Sequence, residues 1–421
     1  MTPIPPSYPS GLTRSQVLAW RNGIFAIFAM SGIGIASWMA RIPAVKDALE
    51  VNTAQIGVLI FGIAVGSITG LLAASHVISS FGSRRSMAWC LIFGAAGLAM
   101  AGAGVTLGQQ FWVVFVGLAI FGAGLSVCDV AMNLSGAVNE RILRRTIMPV
   151  FHAFFSFGTM IGAGVGALAE LAQVPIAVQA AVVSVMMVIV GLFGVAATQS
   201  ENILHSETPD EDHSTTWRER LGIWRDPRTL LIGVIVLGMA FAEGSANDWL
   251  ALTMVEGHGI DKPTGALVFG VFVTAMTVGR LAGVRLLDRF GRVPVLRASA
   301  ALAVVGLLLV IFVPNPWLAV VGVVMWGLGS ALGFPTGMSA AADDPRTAAA
   351  RVAAVATIGY LAFLVGPPLI GFLGEQFGLL NALLVVLVLI VAAGALSHAA
   401  REPKKLSPRA RRSLRERPPK R

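Results

Sequence analysis

Apolar residues run through this chain in long blocks, and short polar breaks separate the blocks. The blocks predict spans at 20–40, 54–78, 86–106, 111–135, 151–171, 175–198, 229–252, 264–287, 295–313, 317–341, 348–373 and 378–398. Each holds about twenty residues or more, enough for a helix to cross roughly 30 Å of hydrocarbon. A soluble helical protein would show a polar face at a 3.6-residue period, and these blocks mostly lack one. The pattern predicts an all-α integral membrane protein with twelve transmembrane helices.

The polar breaks carry a second pattern. Connections from odd to even spans are short and nearly free of cations, holding Arg41, Lys46 and Lys262. Connections from even to odd spans hold most of the rest, including Arg84, Arg85, Arg141, Arg144, Arg145, Arg289, Arg292, Arg346 and Arg351. Cations accumulate on the cytoplasmic side of membrane proteins, so both termini are expected in the cytoplasm. The longest break, 199–228, parts six spans from six. It is acidic at first and basic near Arg218, with an amphipathic helix expected around Trp217 to Trp224. The expected organisation is an N-terminal half at 1–198, a linker at 199–228, a C-terminal half at 229–400 and a basic disordered tail at 401–421.

Composition supports lipid as the solvent. The 421 residues are 56% hydrophobic and 13% charged, where soluble domains carry about 25% charge. Mean hydropathy is +0.77. The net charge of +9 is concentrated in the tail, which is read as a segment drawn to anionic lipid and not to nucleic acid. Cys90 and Cys128 both lie in spans without metal-ligand spacing, and no metal or cofactor is expected. The stretch to Gln16 is Pro/Ser-rich and expected to be disordered, and the span after it is too long for a signal peptide. No phosphate-binding Gly-x-x-x-x-Gly-Lys-Ser/Thr loop, zincin motif or hydrolase elbow is present, so an ATPase or intramembrane enzyme is not expected.

The two halves echo each other. Trp112, Gly122 and Gly124 recur 205 residues later as Trp317, Gly327 and Gly329. Gly162-Ala163 is answered by Gly366-Pro367. Phe81-Gly82-Ser83-Arg84-Arg85 is answered by Asp288-Arg289-Phe290-Gly291-Arg292. Repeats of this kind build transporters that rock two bundles about a central site. With these Gly-Arg loops, the chain resembles the major facilitator superfamily over nearly its whole length. The resemblance implies two pseudo-symmetric six-helix halves and a gating role for Arg84, Arg85, Asp288, Arg289, Gly291 and Arg292. The first loop departs from the signature, with Ser79 where an aspartate would stand. A closer resemblance is to the fucose-permease-like branch of sugar:proton symporters. It rests on Ile42-Pro43, Lys46 and Thr53-Ala54-Gln55-Ile56-Gly57, on Gly124-Leu125, Asp129 and Asn133, and on Trp249, Gly279-Arg280 and Gly283.

Ionisable groups inside hydrocarbon cost at least about 2.5–3.5 kcal/mol each and mark candidate function. Asp129 is the first, with Asn133 one turn on and facing the same side. A desolvated carboxylate takes a proton more readily, which a proton-coupled carrier needs. The resemblance implies that role for Asp129. The alternative is a structural acid paired with loop arginines. The branch's acid near the end of helix 1 is replaced here by Met39, so either Asp129 acts alone or Glu243 takes part. Glu243, Asn247, Asp248 and Trp249 lie in one stretch of span 7, where Gly244 and Ser245 are expected to loosen the helix. Asn247 and Trp249 offer a hydrogen-bonding group and a stacking face. The alternative makes Asp248 an outer helix end and Trp249 an interfacial anchor. Arg280 is expected to pair with Glu243 or Asp129, to bind an anionic substrate, or to brace the loop beside it. Trp38 faces either the cavity or the outer interface. His152 is read as structural, and Gly158, Gly162 and Gly166 as a close-packing face.

The reading is a monomeric secondary transporter in a bacterial inner membrane, taking up a small polar, sugar-like solute with protons. The alternatives are a proton-antiport exporter, which the alanine at 163 in place of an antiporter proline disfavours, and a transporter-like sensor without flux.

Overall fold

The computed structural model describes residues 12–145, 147–199, 222–344 and 347–402. The start of the N-terminal stretch, most of the linker with its expected amphipathic helix, and the basic tail therefore lie outside the described residues. Helices in chain order are α1 (Arg14–Met39), α2 (Ile42–Leu49), α3 (Thr53–Thr106), α4 (Phe111–Leu143), α5 (Met148–Leu171), α6 (Ile176–Ala197), α7 (Pro227–His258), α8 (Lys262–Phe290), α9 (Arg292–Phe312), α10 (Pro316–Ser330), α11 (Gly333–Ala341), α12 (Ala348–Phe377) and α13 (Leu379–Leu396).

The polar breaks start helices by capping them. Thr13 with Gln16 opens α1, and Asn52 with Gln55 opens α3, each as a reciprocal capping box. The Asn315 side chain accepts from the N–H groups of Trp317 and Leu318 at the head of α10. The second and third predicted spans are two helical limbs, taken together as α3, that meet at Gly82, whose φ of 74° and ψ of 155° are not helical. Gly291 turns the chain from α8 into α9 in almost the same conformation, φ 77° and ψ 172°. This left-handed region is open to glycine at little cost. The tenth predicted span is broken between α10 and α11. Pro335 has no N–H to give the carbonyl of Ala331, and the helix gives way there. Counting α3 as two limbs and α10–α11 as one span gives twelve crossings among the described residues.

Close packing uses small residues. A Cβ on Gly66 would lie 1.9 Å from the Ala119 carbonyl oxygen, and one on Gly158 would lie 2.1 Å from that of Ala29. Gly162 and Gly166 continue the face of α5 along α1, meeting Ile33 and Ala40. Such stripes bring helices together where lipid gives no hydrophobic drive between them. Large apolar side chains, among them Leu72, Trp112, Phe193 and Trp317, point outward. The chain is a multi-pass membrane protein.

Helices α1–α6 pack mainly on one another, as do α7–α13. The two groups meet where α3 touches α12 and α5 touches α8. Their union is tight at the end away from the chain termini. There Lys46 pairs with Glu256, Asp47 pairs with Lys262, and the Thr53 N–H donates to Glu375 at 2.9 Å. Just inside, Gly57 lies against the backbone of Pro367 and Gly371. Arg41, at the same end, is buried within the first group. Its guanidinium reaches Glu170 at 2.7 Å, the Gln179 side-chain oxygen at 2.7 Å and the Val174 carbonyl at 3.0 Å. All three cations of the cation-poor connections thus have an acid beside them.

Candidate functional site

Polar side chains on six helices converge between the two groups. A cavity of about 450 Å³ lies there, lined by α1, α3, α4 and α5 on one side and by α7, α8 and α12 on the other. Its wall is mostly apolar, with Phe155, Phe269, Phe363 and Tyr360 as the aromatic faces.

Asp129 enters from α4. The Asn133 amide, one turn on, donates to its carboxylate at 3.1 Å and to its backbone carbonyl at 2.9 Å. Asn133 thus positions Asp129 and does not itself line the cavity. Among the described residues no arginine pairs with Asp129, contrary to the structural alternative. Glu243, Asn247 and Asp248 line the opposite wall from the middle of α7. Helix α7 runs unbroken through Gly244 and Ser245, so the expected loosening is absent. Gly244 instead makes room for the ring of Phe363. Asp248 is eight residues before Glu256 on the same helix, which places it well short of the helix end. Arg280 from α8 donates to Glu243 at 2.7 Å, with the acid the more buried partner.

The tryptophans are elsewhere. Trp249 is wholly buried, with its ring against Gly371, and it neither reaches the cavity nor meets an interface. Trp38 is buried beside Leu98, Ile176 and Gln179 on the far side of α1. Helix rotation decides both positions, since neighbouring residues on a helix point about 100° apart. The cavity also contains polar groups that residue type did not single out: Ser67, Ser126, Ser156, Thr159 and the Tyr360 hydroxyl. Serine and threonine occur in most of the spans, so only their facing distinguishes them.

Loop residues expected to gate divide into two sets. Arg292 donates to Asp343 at 2.7 Å and to the Ser339 hydroxyl at 2.9 Å. Arg228 holds the other oxygen of Asp343 at 2.8 Å, so one carboxylate clamps the starts of α7 and α9 to the end of α11. Gly291 is the hinge already described. Arg289 stacks over Phe290 at 5.2 Å, while Asp288 is exposed without a polar partner among the described residues. In the first group Arg84 meets no acid among the described residues. It donates to the carbonyls of Val195 and Ala196 at the C-terminal end of α6, where the helix dipole favours a cation. Arg85 is exposed.

Two helix groups related by a repeated Gly-Arg turn, closed about a central cavity, define the architecture. The family model for the Major Facilitator Superfamily matches residues 23–246 and 241–420. The chain belongs to the major facilitator superfamily. Members of this superfamily are transporters and not enzymes, and so is this chain. It is 29% identical to an uncharacterized MFS-type transporter of Yersinia pestis over 379 residues, which cover 87% of this chain and 93% of that one. Among solved structures, a point variant of the nucleoside transporter NupG matches with TM-score 0.74 at 14% identity, covering 92% of this chain and 100% of that one. FucP in the outward conformation matches with TM-score 0.62 at 15% identity, covering 93% and 100%. The fucose-permease-like branch is therefore among its structural neighbours.

Proposed function

We propose that this superfamily member takes up a small polar solute together with protons, across a bacterial inner membrane, with both termini in the cytoplasm. The observation that carries it is Asp129: an acid in the wall of the central cavity whose side-chain partner is a neutral amide and not a cation. Such a group can be discharged by a proton and recharged when the cavity opens to the other side. The ion pair of Glu243 and Arg280 faces it from the second group and is available to sense that change. FucP, a fucose:proton symporter of E. coli, has the same fold, which supports the coupling by analogy. The cation-rich connections support the orientation. On that orientation the tight union at Lys46–Glu256 and Gly57–Gly371 is periplasmic, and the cavity belongs to an inward-facing posture.

Reconstituted vesicles with a pH-sensitive dye and an imposed proton gradient test the reading. Solute entry should carry protons with it. Asp129→Asn should abolish accumulation against a gradient while sparing solute exchange at equal pH. Unchanged accumulation in that variant removes Asp129 from the mechanism. Solute-driven proton flow in the opposite direction marks an exporter, and binding without flux marks a sensor. Either result overturns the proposal.

A further inference from the structure

The charges lining the cavity do not balance. Asp129, Glu243 and Asp248 line it, against one cation, Arg280. Arg280 is occupied by Glu243. Treating that pair as neutral leaves two acids, one on each wall. Asp129 has the Asn133 amide. Asp248 has no hydrogen-bond or ion-pair partner among the described residues, and neither does Asn247 beside it. His152, at the start of α5, meets the ring of Phe28 and does not line the cavity.

Position separates the two acids. Helix α7 runs from the terminal end toward the closed end, so Asp248 lies about 7 Å deeper than Glu243 at the rise of an α-helix. It thus sits toward the blind end, where an entering solute stops. An acid in an apolar wall requires either a proton or a counter-charge. One coupled proton serves Asp129 under the function proposed above, on which this inference rests. The wall supplies nothing for Asp248. The aromatic faces of the same cavity also suit a cation, because the π-face of a ring is electron-rich.

We infer that the solute carries a protonated amine, which Asp248 anchors at the closed end of the cavity with the Asn247 amide beside it. A carboxylate-bearing solute would add to the excess of negative charge. A neutral sugar would leave that excess in place.

Binding is measured on the full-length protein in detergent, without a gradient, using solutes matched in skeleton. The sets are glucosamine, glucose and glucuronate, and phenethylamine, phenylethanol and phenylacetate, extended by a panel of alkyl and polyhydroxy amines. Amines should protect against thermal unfolding at concentrations at least tenfold below their neutral partners, and Asp248→Asn should remove that preference. A neutral member equal to its amine, a wholly inert amine panel, or an Asp248→Asn variant that keeps the preference overturns the inference. A second readout needs no ligand. Ser126→Cys, with Cys90 and Cys128 replaced by alanine, presents one thiol to the cavity. It should react at least tenfold faster with cationic 2-aminoethyl methanethiosulfonate than with the anionic 2-sulfonatoethyl reagent. Asp248→Asn should reduce that ratio, and an unchanged ratio also overturns the inference. Amine binding without gradient-driven accumulation would count against the coupling alone. Accumulation of a neutral solute would count against the amine alone.

Discussion

A methyl group on Gly57 should open the closed end of this transporter. The built Cβ would lie 2.7 Å from the Pro367 carbonyl oxygen, 3.2 Å from the Gly371 Cα and 3.3 Å from the Pro368 Cα. All three are backbone atoms of α12, which has no flexible side chain there to swing aside. The clash exists only while α3 and α12 are together at that end. Over-packing of this size costs roughly 1–3 kcal/mol. Because the other posture separates these atoms, the whole cost enters the conformational equilibrium. At 1.4 kcal/mol per factor of ten, Gly57→Ala should raise the population open at that end by roughly 5- to 150-fold. Spin labels on Glu50→Cys and Asp261→Cys, on opposite sides of the seam in a background lacking the native cysteines, report the separation. The distance distribution should gain a longer component. Gly371→Ala should do the same, since its Cβ would meet the Gly57 Cα and the Thr53 carbonyl oxygen at 3.0 Å. Gly164→Ala is the control, with nothing within 4 Å of its Cβ. A folded Gly57→Ala protein with the distance distribution of the parent refutes the argument.

Further outcomes follow from the charged contacts. Lys46→Glu and Glu256→Lys should each favour the posture open at that end, and the double swap should restore the parent distribution. Pairs this exposed contribute only about 0.2–1 kcal/mol and weaken with salt, so the effect should shrink at high ionic strength. Asp343→Asn should lower the melting temperature by leaving Arg228 and Arg292 without their shared acid, at a cost of roughly 1–3 kcal/mol given the partial exposure of Arg228. Asp226 caps α7 through the Thr229 N–H and hydroxyl and faces Arg351. Burial pushes its carboxyl up, but the Thr229 bonds and Arg351 outweigh burial and hold it below its ordinary value. The folded state therefore favours the ionised form. That contribution is complete above about pH 4 and is lost as pH falls below it. Asp226→Ala should cost roughly 0.5–2 kcal/mol at neutral pH and little in strong acid, as read from melting curves at both.

Much of the architecture was legible because the bilayer requires long apolar helices, and because Gly82 and Gly291 repeat one turn in two halves. What the blocks overstated was the length of the breaks. The polar run at Ser83-Arg84-Arg85 looks like a loop, whereas a single non-helical glycine, Gly82, parts the second span from the third. Five of the polar residues expected at the site do line or meet one cavity: Asp129, Glu243, Asn247, Asp248 and Arg280. Charged and amide groups are rare enough in a membrane core to stand out. Trp38 and Trp249 were assigned by residue type, and tryptophan suits a buried face, a cavity or an interface equally well. Tyr360 and the cavity hydroxyls depend on helix rotation, which residue spacing in an all-apolar helix does not record. The seam contacts join residues more than two hundred positions apart. Their trace in the sequence was only that Lys46 and Lys262 stood where cations are scarce.

Arg41 and Lys46 are five positions apart at the same end of the bundle, yet they stand differently toward any motion of the two groups. Arg41 spends its charge on Glu170, Gln179 and Val174, all in its own group, so those contacts travel with it. Their energy is common to each stage of a rocking cycle and cancels from the balance between stages. Lys46 holds Glu256 across the divide, and its contribution is present in one stage and absent in the next. One basic residue is ballast, and its near neighbour is part of the escapement.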